Sequence, residues 1–174
     1  MNSVHKIDNE KISDLRLKYR NLEKEYSNKK FEIANQINRN RMTMKQVLKL
    51  DAENIIFYFN YNQKIVSNGL KNYSSQVQNT IYEKIYNLDL NIEGAKQDLS
   101  DFISWAGYSM FEEKQMRQLL IKLCNSLTIE DTNLFFDLKS LVGICVLPEC
   151  KDVIEKTEKE IKKRKPVKTE SLSL

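Results

Sequence analysis

The chain has 174 residues and a mass of 20.5 kDa, room for one ordinary domain and a tight fit for two. It has only four Gly and two Pro, where average usage would supply roughly 12 and 9. That scarcity works against β-sandwiches, which turn on these residues, and against phosphate-cradling α/β folds, which need Gly where backbone meets ligand. With 28 basic and 24 acidic residues, 41% hydrophobic content and no apolar run near the roughly 18 residues of a membrane-crossing helix, no transmembrane insertion is expected.

The predicted fold class is all-α: an extended N-terminal coiled-coil arm or helical hairpin, followed by a compact C-terminal helical head. Residues 1–7 are read as a flexible N-terminus and residues 8–68 as the arm. Ile12, Leu15, Tyr19, Leu22, Tyr26 and Ile33 follow one another at 3, 4, 3, 4 and 7 residues, the a/d seam of a heptad. A single helix over those 60 or so residues would run about 90 Å, so it must bend, break or find another helix. Past Ile33 two apolar series advance by 11, Ile33, Met44, Ile55, Val66 and Ile37, Leu48, Phe59, Leu70, which suits a straighter helix. The absence of Gly and Pro favours one continuous or bent helix. The Asn-rich stretch at 35–42 offers the alternative, a hairpin near 38–43.

Phe57, Tyr58, Phe59 and Tyr61 point around most of a helix, so they need at least two neighbours or a partner that takes aromatic anchors. Residues 72–165 are read as a helical bundle. Ser74 or Ser75 caps a helix reaching Asn91, Ser109 with Glu112 forms a capping box for Phe111 to Leu127, and Thr128 or Asp131 opens a last apolar helix closed by Pro148. Trp105, Phe111, Leu120 and Leu123 are expected in one core. Residues 166–174 are read as a disordered tail.

Chemistry is sparse in this sequence. His5 is the only histidine, Cys124, Cys145 and Cys150 match no common zinc spacing, and the usual nucleophile, phosphate and metal motifs are missing. No catalytic residue, metal ligand or cofactor site is assigned. The carboxylate pairs Glu112 and Glu113, Glu130 and Asp131, and Asp98 and Asp101 suit helix starts better than acid–base work.

Charge is unevenly spread: 12 basic and 6 acidic residues in 1–50, 8 and 13 in 51–150, 8 and 5 in 151–174, giving balances of +6, −5 and +3. Arg41, Lys45 and Lys49 repeat every fourth residue and on a helix would make one ridge able to meet successive phosphates. The run Lys162 to Pro166 has the charge density of a nuclear import signal. With a polar start, the expected location is cytoplasmic, with a nuclear or non-classically secreted destination open.

The expected function is a non-enzymatic helical interaction, assembly or adaptor subunit. Its partner would be another protein's helix or a second copy, met through Ile12, Leu15, Tyr19, Leu22, Tyr26, Ile33, Phe57, Tyr58 and Tyr61. The alternative is nucleic-acid binding or packaging through Arg41, Lys45 and Lys49. An enzyme of unrecognised type comes third.

Overall fold

The computed structural model describes residues 2–25, 27–39, 41–63, 66, 72–106, 110–144 and 150–164, and every regular element among them is helical. The order is α1 (Asn2–Glu25), α2 (Ser27–Arg39), α3 (Met44–Val47), α4 (Ala52–Tyr61), α5 (Ser75–Tyr86), α6 (Ala95–Ala106), α7 (Glu113–Ser126), a 3-10 turn (Ile129–Asp131), α8 (Thr132–Ile144) and α9 (Lys151–Ile161). The chain divides into two units, residues 1–111 and 112–174. Trp105 and Phe111 therefore belong to the first unit and Leu120 and Leu123 to the second.

Among the described residues, the length read as an arm holds four separate helices. Lys30 Nζ lies 5.7 Å from the centroid of the Tyr19 ring. Eleven residues of straight helix would hold the two about 16 Å apart along the axis, so α2 folds back on α1, with which it packs. Helix α2 ends at Arg39, residues 41–43 are not helical, and Thr43 starts α3 in extended backbone, sharing a reciprocal capping box with Gln46. A break therefore exists at the hairpin position that the Asn-rich stretch suggested, and another between α1 and α2.

Contacts between α1 and α4 advance in the same direction on both helices. Asn9 meets Asp51 and Asn54, Arg16 meets Asn54, and Tyr19 meets Phe57 and Tyr61, so the two run parallel. Helix α4 is the centre of its unit. It packs on α1, α2, α5 and α6, and its residues from Asn54 to Phe59 are all buried. Four neighbours account for an aromatic run that one amphipathic stripe could not hide, and each fully buried ring contributes about 1.5 to 3 kcal/mol. Met42 N–H donates to the buried Tyr58 hydroxyl at 2.8 Å, and Lys84 Nζ donates to the carbonyls of Leu48 and Leu50 at 2.6 and 3.0 Å. The ammonium group thereby satisfies acceptors at the C-cap of α3 and in the turn just past it.

Ser74 caps α5 through the Val77 N–H, as expected, but the helix ends at Tyr86 rather than Asn91. In the second unit α7 starts one turn later than the Ser109 box implies. Its N-cap is Glu112, whose N–H donates to Gln115 Oε1 at 3.1 Å, and Ser109 lies outside the described residues. Thr128 opens the 3-10 turn with a capping box to Asp131. Helices α7 and α9 run parallel, because Arg117 faces Asp152 while Arg164 reaches the carbonyls of Cys124 and Leu127. Met116, Leu119, Leu120, Leu123 and Cys124 on α7, Leu134, Phe135 and Leu138 on α8, and Ile154, Thr157 and Ile161 on α9 are buried.

Candidate functional site

The residues expected to form an interface are largely turned into their own unit. Ile12, Leu15, Ile33, Phe57 and Tyr58 are buried, Tyr19, Leu22 and Tyr61 are half-buried, and Tyr26 lies outside the described residues. Helical spacing thus picked out the buried side of α1, and the chain's own α2 and α4 pack against that helix.

What spacing did not reveal is that this seam is polar over much of its length. Arg16 Nε donates to Asn54 Oδ1 at 2.9 Å, and Asn54 Nδ2 donates in turn to Asn9 Oδ1 at 2.9 Å. Asn9 accepts from the Asp51 N–H at 3.1 Å and donates to the Asp51 carboxylate at 3.1 Å, taking up a free N–H at the start of α4. Burial pulls the Arg16 guanidinium below its ordinary range, opposed by Glu53.

One turn further along, the Arg20 guanidinium pairs with the Asp98 carboxylate of α6, the two side chains only 10% and 9% exposed. Its Cζ also sits 5.9 Å from the centroid of the Phe57 ring, a cation–π distance. Arg20 reaches Asp98 across Gly94, whose φ is +80°. A Cβ there would fall on the guanidinium, so both the backbone angle and the close approach require glycine. Asn60 Nδ2 donates to the Asp98 carbonyl at 3.0 Å while its Oδ1 accepts from Trp105 Nε1 at 2.7 Å. The Tyr61 hydroxyl is raised by burial and then by its bond to the Tyr19 hydroxyl. The arrangement fixes α1, α4 and α6 in one register.

The carboxylates weighed for acid–base work have helix-end or packing roles. Asp98 is ion-paired, Asp101 Oδ1 accepts from Gln97 Nε2 at 2.9 Å, and Asp131 accepts from the Thr128 N–H at 2.9 Å. Cys124 and Cys150 are buried, and burial pushes the Cys124 thiol up to about 11. Among the described residues no group of three or more His, Cys, Asp or Glu is placed to hold a metal, and no helix is long and apolar enough to cross a membrane. A cleft of about 460 Å³ opens between Leu50–Ala52 and the Thr80, Glu83, Lys84 and Asn87 side of α5, with the Lys84 ammonium held by the two carbonyls already described.

Arg41, Lys45 and Lys49 are all exposed but do not share a helix. Arg41 precedes the cap of α3, Lys45 lies within that four-residue helix and Lys49 in the turn after it. The extended backbone at Thr43 (ψ 159°) removes Arg41 from the face that Lys45 would share with it. Large apolar side chains do reach solvent elsewhere: Phe31 on α2 is 72% exposed and Leu17 on α1 is 54% exposed, with Ile129 and Phe136 exposed in the second unit. Comparison with protein-family models, with curated proteins and with solved structures finds no match to this chain.

Proposed function

We propose that this chain is a non-enzymatic helical interaction subunit that meets its partner through the outward sides of α1 and α2. The observation that carries the reading is the pair Leu17 and Phe31. The seam of α1 is already filled from within the unit, yet these two large apolar side chains stand in solvent, Leu17 among Glu10, Asp14, Lys18 and Asn21, and Phe31 on one stripe with Asn35 and Asn38. Aromatic and aliphatic anchors ringed by polar residues are the usual energetic centres of a protein interface. An apolar groove on another protein, or the same surface on a second copy, would bury them at about 1.5 to 3 kcal/mol each.

Affinity purification of the full chain from its native cells, with quantitative mass spectrometry, tests this reading. A partner that stays bound in 1 M salt is expected, and it should be lost from the double variant Leu17→Asp/Phe31→Asp while the melting curve stays that of the wild type. Light scattering separates another protein from a second copy. Equal recovery of every retained protein by wild type and double variant would reject the reading.

A further inference from the structure

Helix α9 carries a regular basic row that the fold leaves facing outward. Ile154, Thr157 and Ile161, at i, i+3 and i+7, are buried. Lys156, Lys159 and Lys163 repeat the same spacing two residues later, about 200° around the helix, and all three are exposed. Lys163 keeps its place on that face because the turn continues past Ile161, with the Lys163 N–H donating to the Glu160 carbonyl at 2.9 Å. Lys151 and Lys162 are exposed as well.

Three of the four acidic residues of this segment are neutralised within the unit. Asp152 is paired with Arg117 at 3.0 Å, Glu158 with Lys139 at 3.2 Å and Glu160 with Arg164 at 2.7 Å. That leaves Glu155 against Lys151, Lys156, Lys159, Lys162 and Lys163, five positive charges to one negative, a surplus of four. Complementing the backbone dipole calls for cations only in the last turn; Lys151 and Lys156 lie outside it.

We infer that this lysine row is a contact surface for the phosphate backbone of a nucleic acid. From Lys156 to Lys163 the row spans about 10 Å, alongside about three phosphates of one strand at roughly 3.4 Å of axis each. The ammonium groups are point charges suited to phosphate, whereas carboxylates of an acidic protein are matched best by the planar fork of arginine. A bilayer surface would call for an apolar face to insert beside the lysines, and here that face is turned into the unit. Phosphate contacts carry no sequence preference.

Fluorescence anisotropy of the full chain with short labelled duplexes of unrelated sequence, from about 50 to 200 mM salt, tests the inference. Binding should be similar across sequences. Lys156→Gln/Lys159→Gln/Lys163→Gln should weaken it by about tenfold or more and lower the salt slope by about 2 to 3, with wild-type melting. Arg41→Gln/Lys45→Gln/Lys49→Gln should leave the slope nearer to wild type. Absence of binding at the lowest salt, or equal binding by the α9 triple variant, would overturn the inference. So would capture by phosphatidylserine vesicles with no affinity for duplex.

Discussion

The first unit carries an ion pair in its interior, Arg20–Asp98, together with an exposed one within α1, Lys18–Asp14 at 3.0 Å, whereas the pairs described in the second unit all lie at its rim. In the first, Arg16 and Asn54 are also buried. In the second, Arg117–Asp152, Lys139–Glu158 and Arg164–Glu160 lie at the rim of an apolar core, every partner at least one-fifth exposed. Buried pairs lose much of their attraction to desolvation, so they contribute to specificity more readily than to stability. We read the interior pair as the device that fixes α1 against α4 and α6, and the rim pairs as the charge balance that leaves α9 with its lysine surplus.

The largest expected effect breaks the interior pair on one side. Asp98→Ala leaves the Arg20 guanidinium buried without its counter-charge and should cost about 3 to 5 kcal/mol in urea unfolding. Arg20→Met/Asp98→Leu should recover most of that loss; a double variant as unstable as the single one would remove the specificity reading. Gly94→Ala comes next, at more than about 1 kcal/mol, since alanine is strained at this φ and its Cβ displaces Arg20.

Alkaline pH sharpens the contrast in another way. Burial raises Tyr58 and Tyr61, pushes Tyr82 up to about 12 and Cys124 up to about 11. The unfolded chain therefore loses these protons first, so their contribution is complete below pH 9, fades as pH climbs through 9 to 10, and goes on falling toward the folded values of about 11 and 12. Thermal melts between pH 8 and 11 should show Tm falling at the upper end, less steeply in Tyr82→Phe. The smallest effect belongs to the rim: Asp152→Ala should shift stability by less than about 1 kcal/mol, and a loss comparable to that of Asp98→Ala would erase the difference between the units.

Much of the local structure was legible in the sequence. Heptad spacing set Ile12, Leu15 and Ile33 on one seam, read as an interface to a partner and found buried within the unit. Ser74 caps its helix as its position suggests, Thr128 caps the 3-10 turn that precedes the last apolar helix, and the aromatic run around Phe57 required several neighbours and has them. The fold-back of α2 on α1 was not legible, because no Gly or Pro marks it. The basic spacing of Arg41, Lys45 and Lys49 misled for a related reason: it presumes a helix through residues 41–43, where the chain is not helical and Thr43 is extended. Asp98 lies 78 residues from Arg20, and no local pattern joins them. The lysine spacing on α9 was visible, but its surplus depends on Arg117 and Lys139, which only the fold brings to the helix.

The partner-binding claim is tested most directly by hydrogen exchange on the full chain, free and in the complex that survives 1 M salt. New protection concentrated on α1 around Leu17 and on α2 around Phe31 is expected, with α4, already buried, little changed. Protection confined to other helices, or the lack of any salt-resistant complex, would contradict it.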